Sequence, residues 1–248
     1  MNWAYARRLW QEGKLPCIFT TAILFILDLA LTLRDSHPQL FKIQPASLGQ
    51  SSLSEIAFGF IILGSPCLVV ILSVRGLAAE FGRGSLAYLA AQSPSRRGLV
   101  FTLWGTRALQ IASVLFVSML PFLLRLPFRV VLGAFLWAFT SAYLSFGLIE
   151  SLGMLMKGLW RAILVVFPGL WAMQVSFSIL ARAYHWSVPD PINYVLSNWL
   201  FDPVLLRASA DIWRAVGVTA CWLASFLVLA ILCGEWLEHL EISSRHPA

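Results

Sequence analysis

The sequence predicts an all-α, polytopic membrane fold. It has six apolar spans, a short cytoplasmic helix between the second and third, and an interfacial external segment between the fifth and sixth. Three observations carry this. Of 248 residues, 59% are hydrophobic and 12% charged, about half the ~25% charged share of an ordinary soluble domain. The apolar residues gather in runs near the ~20 residues that a helix needs to cross a bilayer. Several of the eleven tryptophans, among them Trp3, Trp10, Trp160, Trp186, Trp213 and Trp236, fall near the ends of those runs, where an amphipathic ring sits at headgroup level.

Residues 1–14 mix Trp3, Tyr5, Leu9 and Trp10 with Arg7, Arg8 and Lys14, the composition of a helix lying flat on an anionic leaflet. The first span is Pro16–Leu33. Its apolar run exceeds a signal-peptide core and no small-residue cleavage site follows Leu33, so it reads as a permanent span. A polar external loop with Pro38 and Pro45 leads to the second span, Ile56–Val74. The third span is Gly98–Leu124, and the tight link Arg125–Arg129 with Pro127 connects it to the fourth, Val130–Ile149. The link Ser151–Arg161, with Lys157 and Arg161, precedes the fifth span, Ala162–Leu180. Within 181–213 the stretch INYVLSNWLFDPVLL is too apolar for a free loop and too interrupted for a span. It reads as an interfacial helix anchored by Tyr194 and Trp199, or as a re-entrant element buried in protein. The sixth span is Ala215–Leu232, after which Glu235, Glu238 and Glu241 recur at helical spacing. Residues 1–248 read as one transmembrane domain.

The net charge of +6 does not point to nucleic acid, because the basic residues are spread among loops and form no stripe with interleaved aromatics. On a membrane protein they set topology. With a cytoplasmic N-terminus the inner segments hold the greater share, Arg7, Arg8, Lys14, Arg75, Arg83, Arg96, Arg97, Lys157, Arg161 and Arg245. Six spans then return the C-terminus to the cytoplasm. Cys17, Cys67, Cys221 and Cys233 show no metal-ligand or redox spacing and read as small buried hydrophobes.

The most informative stretch is the polar island between the second and third spans, RGLAAEFGRGSLAYLAAQSPSRR over Arg75–Arg97. Ser85 can cap a helix N-terminus, and Leu86, Leu89 and Ala90 share one face at i, i+3, i+4 spacing. Pro94 stops continuation past Gln92. The prediction is a two-turn helix, Ser85–Gln92, bracketed by Glu80 and Arg83 before it and by Arg96 and Arg97 after it.

This stretch resembles the permease subunits of type 2 ABC exporters. Their loop after the second span runs acid, Gly-Thr-Leu, leucines, then proline and Ser-Arg. This chain supplies Glu80, Gly84-Ser85-Leu86, Leu89, Pro94, Ser95 and Arg96 in that order. It departs in having Phe81 and Gly82 where the family often continues Arg-Glu, a proline one residue late, and Leu103 where a lysine is common. The resemblance implies that Glu80, Gly84, Ser85, Leu86, Leu89, Arg96 and Arg97 form a coupling helix and its flanks, seated on an ATPase subunit. It further implies an inner-membrane exporter of two permease chains, identical or different, with two ATPase chains. This chain then carries no cofactor, and ATP and Mg belong to the ATPase partner. In keeping with that, no GxxxxGK[ST] phosphate loop is present.

Two charges fall inside spans, Asp28 and Arg107, each costing roughly 2.5–3.5 kcal/mol on insertion scales. Counted from the cytoplasmic ends of their spans, their depths differ by roughly 6 Å, so a buried pair is one expectation; separate backbone or interfacial partners are the other, and a substrate or proton site a third. Rival functions are an intramembrane enzyme and a stand-alone channel or secondary transporter. No HExxH, GxSxG-like or paired-acid motif supports the first, and no internal repeat or broken paired helices support the second.

Overall fold

The computed structural model describes residues 3–36, 67–92, 95–124, 128–184 and 212–239. They are helical throughout, with no strand among them. The helices are α1 (Trp3–Ser36), α2 (described over 67–73), α3 (Leu77–Gly82), α4 (Leu86–Gln92), α5 (Arg96–Met119), α6 (Phe128–Leu155), α7 (Leu159–Tyr184) and α8 (Ile212–His239). A 3-10 turn, Leu120–Leu124, extends α5. Most of the second span, the link at 125–127 and the segment 185–211 lie outside the described residues.

Among the described residues, four helical stretches are long and apolar enough to cross a membrane: Trp3–Ala30, Arg96–Leu124, Val131–Leu155 and Thr219–His239. α5 is the central element and packs on α1, α6 and α8, while α6 also receives α3 and α7. α5 accordingly buries most of its surface. Phe101, Leu109 and Phe116 recur at i, i+8, i+15 and remain outward-facing, a stripe suited to lipid. Inside, Trp104 of α5, Tyr143 and Phe146 of α6 and Phe226 of α8 meet ring to ring, and the Tyr143 hydroxyl donates to the Trp104 carbonyl at 3.1 Å. Hydroxyls elsewhere in the bundle donate to carbonyls one turn back, as Ser118 does to Val114 and Ser151 to Gly147. That is how a polar side chain is satisfied where water is absent.

Several predicted boundaries move. Residues 3–14 are not a separate surface helix but the first turns of α1, which runs through Pro16 without ending. Tyr5, Leu9 and Gly13, at i, i+4, i+8, lie on the face turned toward the protein, and that packing overrides the break a proline would favour. α6 continues past Ile149 to Leu155, because Leu152 and Met154 extend its apolar face. The predicted link after the fourth span therefore shrinks to Met156–Gly158. Of the cysteines, all free, Cys67 and Cys221 face outward and are not buried.

Two helix ends share one geometry. α3 closes with Gly84 at φ 75, with Gly84 N–H donating to Phe81 O and Ser85 N–H to Glu80 O. α6 closes with Lys157 at φ 52, with Lys157 N–H donating to Met154 O and Gly158 N–H to Gly153 O. Both are Schellman motifs, and only Gly84 has the residue that meets no steric cost in the left-handed region. Lys157→Gly is therefore expected to stabilise the protein by about 0.5–1 kcal/mol, and Gly84→Ala to destabilise it by about 1 kcal/mol. Thermal melts of the detergent-solubilised chain check both; shifts of the opposite sign would refute the assignment of these caps.

Candidate functional site: the island between α2 and α5

The chain between α2 and α5 folds as two short helices: α3 (Leu77–Gly82), then a Gly84 turn, then α4 (Leu86–Gln92). Leu86 and Leu89 of α4 are buried, as their spacing predicts, while Tyr88 projects outward with 66% of its surface exposed. Ser85 stands just before α4, its carbonyl accepting the Leu89 N–H at 3.2 Å. Its hydroxyl donates backwards, to the carbonyl and the carboxylate of Glu80, because the Schellman turn brings Ser85 over the end of α3. Ser95 is a cap whose Oγ takes the Gly98 N–H at 3.3 Å at the start of α5.

Glu80 is 6% exposed and is engaged from two sides. Besides Ser85, Arg8 of α1 donates to it at 3.3 Å while also bonding Glu12 at 2.9 Å. At the far end of the island, Arg97 pairs with Glu235 of α8 at 2.9 Å, and its backbone N–H reaches Glu238 at 3.3 Å. Arg96 donates to the Glu238 carbonyl at 3.4 Å. Phe81 stacks on Trp236 of α8, ring centroids 6.5 Å apart. The acidic face predicted for the last helix thus exists over its described part, and it is spent within the chain on the island's basic exit.

The break between α2 and α3 is the most buried part of the site. Glu150 of α6, with 0% exposure, accepts the Ala78 N–H at 3.0 Å through one carboxylate oxygen, while the other oxygen is buried without a hydrogen-bond partner. Arg107 of α5, also 0% exposed, donates to the Arg75 carbonyl at 3.4 Å on the other side of Gly76. Its second amino group donates to Gln110 Oε1 at 2.6 Å and to the Leu9 carbonyl at 3.4 Å. Gly76 has no room for a side chain, because a Cβ there would overlap the Glu150 carboxylate.

Arg107 and Asp28 do not pair. Both Asp28 carboxylate oxygens are buried without a hydrogen-bond partner, and the bonds of Arg107 go elsewhere. α1 and α5 run in the same direction, with Arg107 level with Leu9 and Gly13. Asp28 then lies some seventeen residues further along α1, about 25 Å away at 1.5 Å per residue. The small predicted depth difference came from starting the first span at Pro16, whereas the helix starts at Trp3.

Glu150, Gln110 and Tyr5 are the residues sequence reasoning missed. Glu150 stands directly after the predicted fourth span and reads as the edge of a loop. The available signal was the apolar spacing that continues through Leu152 and Met154, which makes Glu150 an interior helical position.

No protein-family model matches this chain, and no curated protein or solved structure matches it.

With Asp28 and Arg107 about 25 Å apart, the stability losses of Asp28→Asn and Arg107→Gln are expected to add in the double variant to within about 0.5 kcal/mol. Denaturation of the three variants in micelles measures this. A coupling well above that margin would restore the pair.

Proposed function

We propose that this chain is the membrane-spanning permease subunit of an ATP-driven type 2 exporter, working with two copies of a separate ATPase chain and a second permease chain. The carrying observation is α4: a two-turn helix whose Leu86 and Leu89 hold it to the body of the protein while Tyr88 projects from it. A connector between two spans needs no such element. The motif order Glu80, Gly84-Ser85-Leu86, Leu89, Pro94-Ser95-Arg96 supports the same reading. Its partner is an ATPase because no phosphate loop occurs in this sequence.

Six spans, with both termini and the island in the cytoplasm of an inner-membrane protein, complete the proposal. The exposed Arg7, Lys14, Arg75, Arg83, Arg97, Lys157 and Arg161 share the island's end of the bundle, which suits the cytoplasmic side. ATP binding would close the ATPase pair, move α4 and tilt the helices that hold it, opening the pathway outward.

Arg97 is already paired with Glu235, so reversing its charge disturbs the fold as well as any docking. Tyr88 is the cleaner probe. Tyr88→Asp is expected to cut ATPase co-purification and transport-coupled ATP turnover by about tenfold or more, with the melting temperature of the permease unchanged. Tyr88→Cys in intact cells or oriented vesicles is expected to react with a membrane-impermeant thiol reagent only from the cytoplasmic face. Labelling from the opposite face, or purification without any ATPase alongside transport driven by an ion gradient, would overturn the proposal.

A further inference from the structure

We infer that Glu150 and Arg107 act together as a two-sided clamp on the chain break at Gly76, which makes this break the buried pivot of the island. The inference is independent of the transport reading and concerns only how α3 and α4 are held.

A broken helix leaves carbonyls at its first end and N–H groups at its second. At Gly76 the amide side is buried, since Leu77 and Ala78 have no exposed surface, and the two side chains that meet the break, Arg107 and Glu150, have none either; the carbonyl side, at Arg75, is part-buried. The α2 end tightens, with Arg75 N–H donating to Leu72 O and Gly76 N–H to Ser73 O. The Val74 carbonyl accepts from Arg83 at 3.4 Å, and the Arg75 carbonyl is taken by Arg107. The α3 end starts with Gly76 in an extended conformation and no side-chain cap of its own. Glu150, from a neighbouring helix, takes the Ala78 amide.

A guanidinium thus meets the carbonyl end and a carboxyl oxygen the amide end, each matched to the partial charge it faces. Arg107 and Glu150 make no direct ion pair. Their hydrogen bonds instead run through the backbone on either side of Gly76. The far end of the same unit differs: Gly82, Arg83, Gly84 and Tyr88 are exposed. A buried, bonded root and an open tip make a lever, and its orientation depends on bonds that α5 and α6 supply.

Amide hydrogen exchange on the full chain in lipid nanodiscs tests this. Glu150→Ala is expected to accelerate exchange over residues 77–92 by about tenfold or more, with α5 amides at 99–119 within about twofold of the native protein. Glu150→Gln, whose amide oxygen can still accept, is expected to give a smaller acceleration confined to the same residues. Gly76→Ala displaces the carboxylate and is expected to reproduce the selective acceleration in the native background, yet to add nothing once Glu150 is alanine.

The clamp is refuted if island exchange is unchanged in Glu150→Ala, if α5 accelerates as much as the island, or if Gly76→Ala keeps its full effect without Glu150. If Glu150→Ala does not fold, Gly76→Ala and Glu150→Gln decide by the same selectivity, and uniform or absent acceleration in both refutes it.

Discussion

Backbone groups at a helix break must find partners where water does not reach, and at Gly76 those partners are two buried charges. In a chain with so few charged residues this use of them is informative. Neither Arg107 nor Glu150 could be exchanged for an apolar residue of similar volume without orphaning the carbonyl of Arg75 or the amide of Ala78. The glycine belongs to the same constraint, since the carboxylate occupies the place of its side chain. Three residues from three separate parts of the chain are thereby fixed by one local requirement.

The island is positioned from other directions as well. Arg8 ties Glu80 to α1, and Phe81 rests on Trp236 of α8. Arg97 bonds the acidic end of α8 where the chain enters α5. The exposed pairs contribute little individually. Their role is geometric: they define where α1 and α8 end relative to a unit whose root is already held. The buried leucines of α4 complete the arrangement, and its surface is left to Tyr88.

Helix content and the location of the island were legible in the sequence because both rest on local patterns: long apolar runs, a Gly-Ser turn, leucines at i, i+3 and a stopping proline. The spacing of Leu86 and Leu89 correctly gave the buried face of α4. What resisted was anything that depends on register between distant segments. Ser85 looked like a cap, and only the turn at Gly84 reveals that its hydroxyl faces Glu80. Arg107 was recognised as a buried charge, but beyond Gln110 one turn along its partners are main-chain carbonyls of Leu9 and Arg75, and carbonyls have no sequence signature. Glu150 was hidden by an apolar run that ended visually one residue before it. Pro16 drew a boundary where α1 has none, and that shifted the apparent depth of Asp28 by several turns.

The contacts of the island also decide where a push on it must go. From the sequence, a short helix between the second and third spans would transmit force to those two neighbours. The geometry directs it elsewhere. α3 lies on α6, with Ala78 against Gly153 and the Ala78 amide on Glu150. Arg107 carries the other side of the break into α5, and through the Leu9 carbonyl into α1. Chain neighbours share a covalent turn, but the turn at Gly76 is a pivot and transmits little torque by itself. Hydrogen-bonded, water-free contacts transmit displacement because a packed interior deforms little. A displacement of Tyr88 would therefore reach α6 and α1 as directly as the helices next to it in sequence, with α6 the nearest receiver.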